Sequence, residues 1–182
     1  MLRDLKTSFL ALLWLSLLTG VLYPLAITGI AQLVFPGRAN GSLVVVDGVV
    51  RGSQLVGQDW RGESWFHGRP SATSLPSGGS NLGPTNPALA KAIGERAAAL
   101  RAEGIEGLLP VDLLTASASG LDPHVSPDGA LVQVNRVARA RGLAPESVRK
   151  LVLEHVEDRE LGVLGEPRVN VLELNLALDS RR

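Results

Sequence analysis

The sequence contains no cysteine among its 182 residues and has only three histidines. Without cysteine the chain cannot form disulfides, thiolate zinc sites or a cysteine nucleophile. The compartment stays open, because proteins without disulfides occur on both sides of a membrane. Lysine and arginine together number 18, as do aspartate and glutamate. The chain therefore lacks the basic excess with which nucleic-acid-binding proteins neutralise phosphates, and nucleic acid is excluded as a partner.

Charge is missing altogether from one long segment near the amino terminus. Residues 7–37 form 31 consecutive uncharged positions that are rich in leucine, isoleucine and valine. About 20 apolar residues suffice to cross a bilayer, whereas the apolar part of a cleaved signal peptide has only about 7–15. We therefore expect a retained transmembrane helix over about residues 8–35. The expected organisation is an anchor segment, 1–37, followed by a soluble domain, 38–182.

Small residues and a proline interrupt the hydrophobic segment. Gly20 permits close approach of a neighbouring helix, and Pro24 frees a backbone carbonyl that a neighbour can satisfy. Both are candidates for a partner interface, although small residues are common in membrane helices generally. Arg3 and Lys6 precede the helix, so the positive-inside rule favours a cytoplasmic amino terminus and a soluble domain outside.

The rest of the chain, 38–182, has 145 residues, enough to bury a core of its own, with 16 basic and 17 acidic side chains. An Asp-Gly pair at positions 47–48 lies between runs of valine, which is typical of a β-hairpin with a type I′ turn. Residues 52–87 are dense in glycine, proline and serine, and mostly ordered loop or short strand pieces are expected there.

Periodicity predicts three helices and a further strand in this part of the chain. Asn86-Pro87 and Ser126-Pro127 are typical helix starts, so helices are expected over residues 88–103 and 126–141, with another over 146–159. Residues 111–115 are expected to form a short buried element. Leucine alternates with polar residues from Val169 to Asp179, which predicts a half-buried strand. The predicted fold class is an α+β domain with a small mixed or antiparallel sheet, anchored by the amino-terminal helix.

Familiar catalytic patterns are missing from the sequence. It has no paired-histidine zinc motif, no phosphate-binding loop of the Gly-Lys-Ser/Thr kind and no nucleophile elbow. No catalytic residue and no metal ligand is therefore assigned. Asp122, His124 and Asp128 do gather within seven residues. A turn that caps a helix explains them most simply, and a pocket in a membrane-anchored exported hydrolase or binding module is the alternative function.

Aromatic side chains are scarce after the hydrophobic segment. Trp60, Trp65 and Phe66 are the only ones, and Arg69 follows them closely. Aromatic residues and arginine dominate the energetics of protein interfaces. These four residues are therefore candidates for a partner interface, with core packing as the alternative for the aromatic rings.

Ordered strings spread over nearly the whole chain carry a family resemblance. They occupy residues 52–58, 65–72, 77–87, 110–113, 117–124, 136–143, 161–172 and 174–179. Together they resemble the C subunit of the Kdp-type high-affinity potassium-transporting P-type ATPase of the bacterial inner membrane. The resemblance implies two protein partners, a potassium-conducting subunit and a P-type ATP-hydrolysing subunit, besides membrane lipid. The chain lacks the Asp-Lys-Thr-Gly phosphorylation motif, so the resemblance implies an accessory subunit and not an enzyme.

The role implied for such a subunit is assembly of the complex, together with that of a catalytic chaperone that raises the ATP affinity of the hydrolysing subunit. No permanently bound cofactor is implied; ATP would be met only in the complex. Leu75 to Ser80 resembles the nucleotide-binding signature loop of another transporter class, which implies Ser77, Gly78, Gly79, Ser80 and Asn81 as nucleotide contacts.

Physically, a Ser-Gly-Gly-Ser loop can form an anion-binding nest of N–H groups, or simply a turn that needs positive φ at a glycine. A domain outside the cytoplasmic membrane would never meet cytoplasmic ATP. The chaperone role therefore favours a domain inside the cell, whereas the charge bias favours a domain outside.

Overall fold

The computed structural model describes residues 1–71 and 78–181. The chain divides into two compact units, Met1–Leu43 and Val44–Arg182.

The first unit is dominated by one long helix. Helix α1 (Leu2–Leu17) continues through a π-helical turn (Leu18–Leu22) into α2 (Tyr23–Val34), and the short α3 (Pro36–Ala39) follows. Pro24 has no N–H to donate to the preceding turn, and the helix widens directly before it. The helix Leu2–Val34 is long and apolar enough to cross a membrane, and its most apolar stretch is entirely exposed. This matches the predicted single anchor helix.

A β-hairpin comes next along the chain, as predicted. Strands β1 (Leu43–Val46) and β2 (Val49–Ser53) pair with each other. Asp47 and Gly48 between them have φ of 51° and 75°. Positive φ at both central residues is the signature of the type I′ turn, which matches the twist of the two strands.

A second, three-stranded sheet is antiparallel throughout. It consists of β3 (His124–Val125), β4 (Val156–Glu157) and β5 (Arg168–Asn170), in the order β3-β5-β4. Val169 lies at its centre, opposite Val125 on one side and Val156 on the other. With the surrounding helices, these small sheets confirm the predicted α+β class.

Two of the predicted helix starts are confirmed by their caps. Helix α4 (Pro87–Ala102) begins after Asn86, whose side chain accepts a hydrogen bond from the backbone N–H of Ala88. Helix α6 (Pro127–Leu131) begins after Ser126, whose hydroxyl accepts from Gly129 N–H. A short helix, α5 (Val111–Leu114), occupies the predicted buried element and buries Leu113. For α4 and α6 a local side-chain hydrogen bond thus sets the start of the helix.

The single helix expected over residues 126–141 is wrong, because it consists of two. Helix α6 ends at Leu131, and α7 runs from Val134 to Arg141 before Gly142, which adopts a left-handed conformation. Gln133 at the junction is 1% exposed. Helix α8 (Pro145–Glu154) ends five residues before the expected Arg159, because Val156 and Glu157 pair with β5.

The strand expected from Val169 to Asp179 is also wrong beyond its first residues. Only Val169 and Asn170 belong to β5, and Val171–Asp179 is helix α9. The Asn170 side chain accepts hydrogen bonds from the N–H groups of Leu172 and Glu173, which starts the helix. Buried residues at 171, 174, 175 and 178 follow the helical spacing i, i+3, i+4 and i+7. Leucine at every second position concealed this spacing, because the buried position 175 is an asparagine.

The core of the second unit lies among helices α6 to α9 and the three-stranded sheet. Its members share full or nearly full burial of an apolar side chain: Phe66, Leu113, Val125, Ala130, Val134, Val137, Ala138, Val148, Leu151, Val152, Val169, Val171, Leu174 and Leu178. Phe66 is the only aromatic side chain in this set.

Candidate functional site

A cleft of about 1120 Å³ in the second unit brings several of the predicted site residues together. Segments 56–61, 67–71 and 120–123 line it, with Val171 and Leu172. Trp60 and Arg69, proposed for a partner surface, therefore share this cleft with Asp122, proposed for the alternative function.

At this cleft the Asp122 carboxylate joins Arg69 to the loop before β3. Arg69 Nη1 donates to its Oδ2 at 3.0 Å, and the backbone N–H of His124 donates to its Oδ1, also at 3.0 Å. Arg69 Nη2 lies 3.4 Å from the carbonyl oxygens of Thr115 and Ala116. Because each carboxylate oxygen of Asp122 already accepts a hydrogen bond, the residue is arranged to position the loop before β3.

Asp128 lies elsewhere, in the first turn of α6, where it lines a second cavity of about 870 Å³. Its neighbours form a cap: Asp112 Oδ2 accepts from Ser126 N–H at 2.6 Å, and Ser126 Oγ accepts from Gly129 N–H at 2.9 Å. The structure thus does not bring Asp122, His124 and Asp128 into one pocket, and the capping interpretation holds. Among residues 1–71 and 78–181, no group of three or more acidic or histidine side chains could hold a metal ion.

The aromatic cluster divides between core and surface. Phe66 is fully buried, so it belongs to the core, and its proposal as a partner residue is corrected. Trp60 and Trp65 are partly buried, with ring centroids 4.9 Å apart and planes inclined by 41°. The Arg141 guanidinium stacks 4.3 Å from the Trp65 ring centre, a cation–π contact. Both tryptophans therefore keep part of their surface exposed, and their role in a partner interface stays a prediction.

Two buried amides hold the segment that carries these rings. Asn175, 0% exposed, accepts from Phe66 N–H at 2.9 Å and donates to Phe66 C=O at 3.0 Å. Gln133 does the same for His67, at 2.8 and 3.0 Å. Each amide side chain thus satisfies one donor and one acceptor of a segment that has no strand partner. Sequence analysis missed both residues, because it placed Gln133 within one continuous helix and Asn175 on the polar face of a strand.

Two arginines also hold this segment, by hydrogen bonds to its backbone carbonyl groups. Arg136, 5% exposed, donates to the carbonyl oxygens of Gly62 and Glu63 at 3.3 and 2.8 Å and pairs with Glu103 at 3.2 Å. Arg141 Nε donates to Ser64 C=O at 2.7 Å. Burial lowers the pKa of Arg136, which Glu103 partly opposes. Burial, and next the Arg136 charge, also lower the pKa of His67. Residues 62–67 are therefore fixed by side chains from helices α7 and α9 and the α6–α7 junction.

The glycine-rich loop packs closely on a neighbouring loop. Ser77 lies outside the described residues. A Cβ on Gly79 would lie 2.8 Å from the Ala118 carbonyl oxygen, so close backbone approach, and not positive φ, requires glycine there. Positive φ occurs instead at Asn81, 53°, and at Gly120, whose Cβ would lie 3.0 Å from Gly78 C=O. Ser80 and Asn81 are exposed, and the nucleotide contact stays a prediction.

Comparison with known proteins identifies the family. The model of the K⁺-transporting ATPase c chain, KdpC, matches residues 5–180. Proteins named potassium-transporting ATPase KdpC subunit are similar along the whole chain. The one from Sorangium cellulosum is 58% identical over 190 aligned positions covering all of both chains. That from Geobacter sulfurreducens is 53% identical, covering 98% of each chain. That from Rhodopseudomonas palustris is 51% identical, covering 99% of this chain and 98% of its own.

These matches include both the apolar helix and the domain that carries the cleft. A transporter subunit with one helix long and apolar enough to span a bilayer is expected to be a single-pass membrane protein. The chain belongs to the KdpC family, the c chain of the K⁺-transporting ATPase, and has an accessory role in potassium transport.

Proposed function

We propose that the chain is a non-catalytic subunit that supports assembly of a potassium import complex from a potassium-conducting subunit and a P-type ATP-hydrolysing subunit. The observation that carries this proposal is the family match, which runs from residue 5 to residue 180 through anchor and domain alike. The geometry is consistent with it, because Asp122 anchors a loop and Asp128 lies apart from it in the first turn of α6.

The anchor helix supports an assembly role. Its apolar side chains are exposed along its length, and nothing lies within 4 Å of a Cβ built on Gly20. Gly20 is therefore not required by the fold of this chain. We propose that it faces a helix of a neighbouring subunit, beside the π turn and Pro24.

Copurification in detergent tests this assignment. The wild-type chain should copurify with the ATP-hydrolysing and potassium-conducting subunits, and recovery of the complex should decrease for Gly20→Leu while the amount of inserted chain is unchanged. Val21→Leu, one position along the helix, is the matched control and should behave as wild type. A wild-type chain that never copurifies with these subunits would overturn the proposed function.

The proposed placement of the second unit is outside the cytoplasmic membrane, with the amino terminus inside. Arg3 and Lys6 before the helix support it. Ser80 is exposed and the chain has no cysteine, so Ser80→Cys reports topology without background. A membrane-impermeant maleimide should label Ser80→Cys in cells with an opened outer barrier. Leu2→Cys, at the other end of the helix, should react only after the inner membrane is broken; the reverse pattern would invert the orientation.

The finer part of the proposal is that the chain raises the ATP affinity of the hydrolysing subunit. With the domain outside, this effect must pass through the membrane helix as a coupling free energy. The KM for ATP should therefore be lower in the complete complex than in one without this chain, and Ser80→Ala or Asn81→Ala should leave it unchanged. An increase in KM on either change would instead place the Gly78–Asn81 loop at the nucleotide, on the cytoplasmic side.

A further inference from the structure

The loop of residues 158–167 connects β4 and β5 and has a tight turn of unusual sequence at its tip. Glu160 and Leu164 exchange two backbone hydrogen bonds of 2.9 Å each, and Val163 N–H donates to Glu160 C=O at 3.2 Å. Leu161 and Gly162 occupy the centre of the turn with φ of 53° and 74°. This is the same type I′ signature as in the first hairpin.

Leucine is unfavourable at position 161 both because of the positive φ and because the side chain is exposed to solvent. The first central position of a type I′ turn favours asparagine, aspartate or glycine, because a side chain there strains the left-handed backbone. The first hairpin follows that rule with Asp47, whereas this turn has Leu161. Leu161 is also 89% exposed, and Val163 and Leu164 beside it are 72% and 55% exposed. Strain kept at an exposed apolar residue points to a binding role.

Ion pairs hold the turn in place. Arg159 Nη2 lies 2.5 Å from Glu166 Oε2, and Arg168 pairs with Glu157 at 3.0 Å and with Glu160 at 3.5 Å. The first pair joins the two sides of the loop, the second joins β4 to β5, and the third joins the loop to β5. An apolar tip that is already ordered loses little conformational freedom when a partner covers it.

The charge around the tip selects the kind of partner. Four carboxylates, those of Glu157, Asp158, Glu160 and Glu166, outnumber the two guanidinium groups of Arg159 and Arg168 in this part of the chain. This net negative rim opposes approach to an anionic lipid surface, and the loop has none of the tryptophan, tyrosine or lysine that anchors proteins at membrane interfaces. It also opposes the symmetric contact of two copies, which would bring like charges together.

We infer that the tip formed by Leu161, Val163 and Leu164 docks into an apolar socket, bordered by lysine or arginine, on a protein subunit of the same complex. Leu161 is the central anchor. This inference rests on the proposed function, because the partner is taken to be one of the subunits with which the chain assembles.

Leu161→Asn separates binding from folding. Asparagine suits the turn, so the melting temperature of the full chain in detergent should rise by about 2–4 °C. Affinity for the remaining subunits should decrease about tenfold, because the anchor is lost. Leu108→Asn is the matched control: Leu108 is 93% exposed but lies outside this loop, and its change should leave affinity as in wild type. If the wild-type chain assembles and the Leu161→Asn variant binds the remaining subunits with the same affinity, the inference is overturned. The proposed function would still stand.

A probe at Val163→Cys identifies what covers the tip. The cysteine-free chain allows labelling of this position alone with a polarity-sensitive dye, and Leu108→Cys provides the control. The emission should shift to the blue in the assembled complex only, and only at position 163. The same shift in nanodiscs of anionic lipid without other subunits would assign the tip to lipid. A shift that depends on the concentration of the chain alone would assign it to a second copy. Either result, or an equal shift at position 108, contradicts the inference.

Discussion

The two units of the molecule distribute apolar and polar side chains in opposite ways. In Met1–Leu43 the apolar residues are exposed, with Leu5 at 67% and Leu33 at 86%. In Val44–Arg182 the core is apolar, but Gln133, Arg136 and Asn175 are buried within it. The first unit therefore needs lipid or neighbouring helices to cover it. The second unit supplies its own partners, because each of these buried polar groups hydrogen-bonds the backbone of residues 62–67 or a group that does.

The largest effect should come from breaking the polar interior of the second unit. Asn175→Leu leaves the N–H and C=O of Phe66 buried without partners, at about 1–3 kcal/mol each, so the free energy of unfolding should decrease by about 2–6 kcal/mol. Guanidinium denaturation of the full chain in detergent measures this. Gln54→Ala removes an exposed amide bonded to Glu173 and should cost no more than about 0.5 kcal/mol. Equal losses would contradict the contrast between buried and exposed amides.

The first unit should respond to charge and not to lost hydrogen bonds. Leu17→Arg places a cation near the middle of the apolar helix, which disfavours membrane insertion by about 2.5–3.5 kcal/mol. Membrane fractionation measures the inserted share. Leu5→Arg, beside Lys6 at the helix end, can reach the interface and should insert normally. Full insertion of Leu17→Arg would show that this helix does not depend on a hydrocarbon environment.

A smaller effect should distinguish two glycines of the same loop region. A Cβ on Gly79 would lie 2.8 Å from the Ala118 carbonyl oxygen, whereas one on Gly83 would meet nothing within 4 Å. Gly79→Ala should therefore reduce the free energy of unfolding by about 1–3 kcal/mol, and Gly83→Ala should not reduce it. Thermal melting of both variants measures the difference. A tolerated Gly79→Ala would mean that the two loops need not pack closely.

The smallest effect should be a pH dependence that arises from the polar interior. Burial, followed by the charge of Arg136, lowers the pKa of His67 below its usual 6.5. Between these two values the unfolded chain binds more protons than the folded chain, so stability increases with pH in this window. Melting temperature should thus decrease as the pH falls below 6.5. His67→Gln should weaken this dependence, and an unchanged profile would exclude His67 as its source.

Local sequence was a good guide wherever one short-range interaction decides the structure. The Asp47-Gly48 turn and the helix starts at Asn86 and Ser126 each depend on a side chain or backbone preference within three residues. Periodicity failed for α9, since two periods were compatible with its leucines and the cap at Asn170 decided between them. It failed again at the α6–α7 junction, where Gln133 leaves the helical pattern to bond a residue 66 positions away.

The sequence by itself therefore determined the apolar anchor helix, the first hairpin, the α+β class and the family, because these depend on composition, on neighbouring residues or on strings preserved in order. Only the tertiary structure decided that Phe66 is buried while Trp60 and Trp65 are partly exposed. It also decided that the Asp122 carboxylate is paired with Arg69, and that Leu161 is exposed at the tip of a loop with a strained, positive φ. The physical reason is that burial and hydrogen-bond pairing depend on groups 50 or more positions apart in the chain, as for Arg69 and Asp122 or Phe66 and Asn175. A local sequence pattern does not show which distant groups come into contact.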